Sequence, residues 1–184
     1  MSKAVQFGVS FACPPVARLT AALAGLRAEA QADNGVPVEC GPDYRSTVMT
    51  ASRVLEEAGC EFGVSGFGNP SWGVDGYDMS TFFEGLWKLL IGLSESRPAV
   101  LDFYAPGLET EMRFVPRGDS VEISCSPGTD TSIDYGVVHL ERLDVTRRMF
   151  GEVARAFAIA LEVLDVDASN AEPFLSWKQL SVQV

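Results

Sequence analysis

The chain is 184 residues long, which fits a single domain, with residues 1–40 as a possible N-terminal sub-element. Fourteen lysines and arginines against 25 acids leave a net charge of −11. That balance speaks against nucleic acid, whose binders use cations to displace phosphate counterions, and against docking on anionic membranes. A hydrophobic share of 47% with 21% charged residues is globular composition and argues against a disordered chain.

In chain order, Val5, Phe7, Val9 and Phe11 alternate with small or polar residues and predict a strand with one buried face. Pro14-Pro15 suits the entry to a helix whose stripe is Val16, Leu19, Ala22, Leu23 and Leu26, running to about Gln31. A short strand over Val36 to Cys40 follows the turn Asp33-Asn34-Gly35. Val48, Met49, Ala51, Ser52 and Leu55 fit a helix ending at Gly59, with a strand from Thr47 to Leu55 as the alternative. Cys60 to Ser65 reads as the next strand. Residues 66–78 are glycine-rich with embedded aromatics, which is loop composition.

Thr81-x-x-Glu84 matches a capping box and predicts the start of a wide-faced apolar helix carrying Phe82, Phe83, Leu86, Trp87, Leu89, Leu90 and Leu93. Three strand-like segments come next, Val100 to Tyr104, Glu111 to Val115 and Ser120 to Cys125. The short turns between them favour an antiparallel meander, because parallel pairing needs longer crossovers. Gly136 to Leu140 is a possible fourth strand. Asp144 is placed to cap a second long helix whose Val145, Met149, Val153, Phe157, Ala160 and Leu164 face the core, and Glu172 to Leu180 forms a last turn around Phe174 and Trp177. The fold class expected is α+β, an antiparallel meander packed against two long helices, with an N-terminal strand–helix element.

Cys13, Cys40, Cys60 and Cys125 lie 27, 20 and 65 residues apart, without a C-x-x-C pair, so zinc-ribbon and thioredoxin-type motifs are excluded. A domain with this much core has little need of disulfides, and the expectation is four free thiols in a reducing cytosol. The run from Lys3 to Cys13 caricatures a lipoprotein signal, but its single cation and broken apolar stretch favour a strand. No run reaches the roughly 18 apolar residues of a membrane helix.

Catalytic chemistry is sparse. His139, the one histidine, sits in a β-prone run and is expected to be a structural or half-exposed strand residue; no G-x-S-x-G elbow accompanies it. Asp165 starts an apparent calcium loop that fails at its sixth and twelfth positions, Asn170 and Ser176. Gly63, Gly66 and Gly68 have the wrong order for a dinucleotide or P-loop signature. No catalytic residue, metal site or cofactor is therefore assigned.

Charge is unevenly placed. Residues 1–40 are neutral overall, 41–112 carry −7 and 113–184 carry −4. Acids interleaved with aromatics in the middle section describe a docking surface for a basic partner, the aromatics giving anchor energy and the acids steering association. The candidate partner-binding residues are Trp72, Asp75, Tyr77, Asp78, Tyr104, Glu109 and Glu111.

The stretch from Phe82 to Phe114, FFEGLWKLLIGLSESRPAVLDFYAPGLETEMRF, resembles the core of bacterial immunity proteins that protect against polymorphic toxins, in particular the WapI-type immunity family. Leu101, Phe103, Pro106 and Leu108 carry the hairpin element of that pattern, and Leu143-Asp144 with the helix behind it carries the last. The resemblance runs over residues 61–164 with gaps. It implies an antidote that binds a cognate toxin protein, basic and nuclease-like, in the producer's own cytosol, with no catalytic residues. Competing readings are an adaptor or secretion chaperone for an effector protein, and an enzyme of unrecognised type.

Overall fold

The computed structural model describes residues 5–21, 24, 44–163 and 172–180. The predicted strand over Val36 to Cys40, and the face positions Ala22, Leu23, Leu26 and Leu164, lie outside the described residues. Among those described, no helix is long and apolar enough to cross a membrane.

Strands β1 (Gly8–Ala12) and β2 (Glu61–Ser65) form an antiparallel pair that runs in register from Gly8↔Ser65 to Ala12↔Glu61. One further step of that register brings Cys13 opposite Cys60, and the two form a disulfide. This corrects the expectation of four free thiols. Two cysteines 47 residues apart give no local signal, and only the strand pairing makes them neighbours. Cys125 is free and buried, and Cys40 lies outside the described residues. After Pro15 the chain is helical over 16–21; Leu19 is buried there, whereas Val16, expected on the same face, is 61% exposed.

Helix α1 (Tyr44–Glu57) settles the choice over Thr47 to Leu55 in favour of a helix. It buries Thr47, Val48, Ala51, Ser52, Val54 and Leu55, a helical spacing that a strand would split between two faces. Helix α2 (Gly76–Ser94) starts five residues before the Thr81 box. Asp75 is its N-cap, accepting from the Tyr77 and Asp78 N–H groups, while the Asp78 carboxylate accepts the Asp75 N–H. Thr81 lies inside the helix, its hydroxyl donating to the Asp78 carbonyl.

Strands β3 (Ala99–Phe103), β4 (Thr110–Arg117), β5 (Ser120–Cys125) and β6 (Val138–Arg142) form an antiparallel meander in sequence order, so the possible fourth strand is present. Burial alternates: Met112 and Phe114 point to the core while Glu111 and Arg113 face out. Two bonds just beyond the strands set the phase of the ladders. Ser126 N–H donates to the Glu111 carbonyl, and Leu143 N–H to that of Asp119. Because bonded and non-bonded pairs alternate, odd-numbered residues of β4 bond toward β5 and even-numbered ones toward β3. Pro116 is thereby tolerated in a central strand, since its missing N–H would point past the end of β3.

Helix α2 lies on β3 with Gly85 against Leu101 and Gly92 against Ala99, so helix and strand run in opposite directions. Helix α3 (Leu143–Val163) and the short α4 (Phe174–Lys178) complete the layer. Asp144 is the second residue of α3 and is held by Arg142 on both carboxylate oxygens. The buried face of α3 is Thr146, Phe150, Val153, Ala154, Phe157, Ala158, Ala160 and Leu161; Val145, expected inside, is 42% exposed. Rings of Phe83 and Phe157 stack at 3.7 Å between α2 and α3, and Phe174 and Trp177 are buried as expected. The fold is α+β.

Candidate functional site

The antiparallel run of α2 and β3 places the N-terminal turn of α2 at the same end of the molecule as the β3–β4 loop. Most of the acidic and aromatic residues singled out in the sequence therefore share one end, but two of them are not surface residues.

Trp72 is 2% exposed. Its indole N–H donates to the Gly66 carbonyl at 3.3 Å, and its ring packs beside Phe67 and Phe103, each 6.0 Å away. Its role as a contact anchor is corrected to a core role: the ring's area is already used inside the fold. Asp78 is likewise buried, at 6% exposed, and its carboxylate serves the N-cap. Burial, with the charge of Asp75 beside it, raises its pKa to about 6. Asp75 is exposed but committed to the same cap, and Glu56 accepts the Gly76 N–H at 2.8 Å. These carboxylates meet the unpaired N–H groups and the positive end of the helix dipole.

The remaining candidates are accessible. Tyr77 is 48% exposed on the first turn of α2. Tyr104 is half-buried, and its hydroxyl donates to Glu84 Oε2 at 2.8 Å while accepting from Arg45 Nη2 at 2.6 Å. Arg45 Nε also pairs with Glu84 at 3.0 Å, and its guanidinium lies 5.0 Å from the centroid of the Tyr104 ring. Burial, and then the bond to Glu84, push the Tyr104 phenol up. The sequence reading missed Arg45 and Glu84 in this cluster. No local spacing links α1 to the β3–β4 loop, and Glu84 had been taken as part of the Thr81 box.

Glu109 is exposed, at a left-handed φ of 42°, with its N–H donating to the Ala105 carbonyl. Glu111 is exposed on the outer face of the sheet, and its cross-strand partner is Asp102, a second acid that the sequence reading did not select. The ladder phase makes this a non-hydrogen-bonded pair, the kind in which side chains stand closest. Among the described residues neither acid has an ion-pair partner; Arg113 lies two residues along β4 on the same face.

Elsewhere, the half-buried His139 accepts the Phe67 N–H on Nε2 at 3.0 Å, which leaves its ring proton on Nδ1. Among the described residues, no group of three or more His, Cys, Asp or Glu could hold a metal ion. No protein-family model, curated protein or solved structure matches the chain.

Proposed function

We propose that the chain is an immunity protein, an antidote that binds and neutralises a cognate bacterial toxin domain through an acidic face flanked by aromatics. The observation that carries this reading is the opposed pair Asp102 and Glu111. Like charges directly opposite on a sheet are destabilising, so the free chain gives up stability to hold two carboxylates side by side in solvent. A cation from a partner relieves that repulsion on binding. Glu109 extends the acidic face, and Tyr77 and Tyr104 stand at the same end as amphipathic rings of the type that anchors interfaces. The partner's chemistry follows from the face: a basic protein surface, such as the cleft of an enzyme that acts on nucleic acid.

The reading assigns binding, no catalytic step and no cofactor. It places the encounter in the cytosol. There a reducing thiolate can reach the Cys13–Cys60 bond from the side of Cys13, which is half-buried, while Cys60 is 6% exposed.

The test begins with the adjacent gene, expected to encode a large toxin with a basic C-terminal domain that arrests a bacterial host. Coexpression of this chain should restore growth. The triple variant Asp102→Asn, Glu109→Gln, Glu111→Gln should bind that domain more weakly at low salt and with a flatter salt dependence. A neighbouring domain that this chain neither binds nor neutralises overturns the reading.

A further inference from the structure

We propose that β6 is a homodimerisation edge, on which a second copy of this chain pairs its own β6 antiparallel about a two-fold axis at Leu140. Strand β6 ends the four-stranded sheet, with β5 on one side and no strand among the described residues on the other. The bond from Leu143 N–H to the Asp119 carbonyl continues the Ser120↔Arg142 register by one step. His139 and Glu141 therefore direct their N–H and C=O groups to β5, and Val138 and Leu140 direct theirs to the open edge. The Arg142 carbonyl already accepts from the Thr146 hydroxyl.

Of the devices that usually keep sheet edges apart, β6 has two charges at its C-terminal end, Glu141 and Arg142, while its middle is apolar. Val138 is 57% exposed and Leu140 is 69% exposed, and β6 contains no proline or lysine. The other edge strand, β3, exposes less apolar surface, with Val100 37% exposed beside Asp102, and is entered through Pro98. Two apolar side chains beside unpaired backbone groups make β6 the more adhesive edge.

A second copy fits because the strand is self-complementary in this register. Leu140 meets Leu140 of the second copy at the axis, an apolar contact on the outer face. On the inner face, His139 stands opposite Glu141 of the second copy, and the reverse pair is generated by symmetry. His139 holds its Nδ1 proton without an acceptor among the described residues, and Glu141 has no ion-pair partner among them. A donor thus faces a carboxylate twice across the axis. A strand of unrelated sequence would not generate both pairs from one register.

The experiment is sedimentation of the full chain over a concentration series, with amide hydrogen exchange at low and high concentration. Expected are a reversible dimer and slowing of the Val138 and Leu140 amides as it forms. The His139 and Glu141 amides, already bonded to β5, should be slow throughout. Leu140→Lys places two cations at the axis on an already exposed site and should weaken the dimer roughly tenfold or more. The His139 and Glu141 amides report that its fold is intact. A wild-type chain that stays monomeric overturns the proposal. So does a dimer that leaves the Val138 and Leu140 amides fast, or one that survives Leu140→Lys unchanged.

Discussion

The Phe67 N–H donates to His139 Nε2 at 3.0 Å, and it does so from a left-handed backbone, φ 52°, at a residue wholly removed from solvent. Its carbonyl is used as well, accepting from the Asp134 N–H at 2.7 Å. A bulky residue in that conformation costs on the order of 1–3 kcal/mol and persists only where its surroundings hold it. Here a strand from late in the chain fixes a loop from its middle, and the ring of Phe67 is locked against Trp72 and His139.

His139→Ala leaves that N–H without an acceptor and should destabilise the chain by about 1–3 kcal/mol in urea denaturation at pH 7.5. Burial holds the imidazole below its ordinary 6.5, against the opposing pull of Glu141. The unfolded chain then binds the extra proton first, so the contribution of His139 is complete above 6.5 and is lost as pH falls through that value. The difference between wild type and variant should shrink from pH 7.5 to pH 5.5; a constant difference would remove the linkage.

Asp78 acts in the opposite sense. Its pKa of about 6 lies above the unfolded 3.8, so the native chain binds more protons between those values and loses stability as pH rises through them. Asp78→Asn keeps an oxygen to accept the Asp75 N–H and cannot ionise. Relative to wild type it should gain on the order of 2 kcal/mol between pH 4.5 and pH 7. Asp75→Ala, which deletes the cap itself, should cost about 1 kcal/mol at either pH.

Reduction of Cys13–Cys60, or Cys60→Ser, should lower stability by up to about 4 kcal/mol. That is the chain-entropy value for a cross-link spanning 47 residues. Denaturation curves with and without reductant measure it. Equal midpoints would mean that the β1–β2 register alone holds this end of the sheet.

Glycines 85 and 92 are expected to differ. A Cβ on Gly92 would meet the Ala99 Cβ at 2.8 Å, an atom fixed to the backbone, while one on Gly85 meets the end of the Leu101 side chain. Gly92→Ala should cost about 1–3 kcal/mol and Gly85→Ala less, because Leu101 can turn aside. The reverse order would show that α2 does not rest on β3 where the structure places it.

Glu111→Gln should stabilise the free chain by about 0.2–1 kcal/mol at low salt, with the gain fading as salt is added. The same substitution should weaken partner binding. An unchanged or lower melting point would mean that Asp102 and Glu111 do not repel, and would remove the main support for the acidic face.

The meander was legible because each strand alternates and each turn carries its own signal. Ser120–Cys125 has the bounds expected, and β3 and β4 start one residue earlier than expected. What was not legible depended on competition or distance. Asp75-x-x-Asp78 and Thr81-x-x-Glu84 are rival start signals on one helix. The nearer match to the capping box lost, because Asp75 sits where the chain leaves the loop and can accept two N–H groups. Trp72 looked like a surface anchor because its neighbours are glycine and polar residues. Only the arrival of Phe103 from the next sheet explains its burial. The pairing of Asp102 with Glu111 needed the register, and the cluster of Arg45, Glu84 and Tyr104 needed three elements from different parts of the chain.

Strand β1 also constrains the order in which this protein can be made. Phe7, Val9 and Phe11 are made before all of their partners: Phe67 and Phe83 follow first, and Phe114, Phe150 and Phe157, with Met149 against the Val9 N–H, come after those. Strand β1 can therefore pair with β2 early, but its side toward α3 stays open until Phe150 and Phe157 have been made. The domain closes last around the strand that was made first.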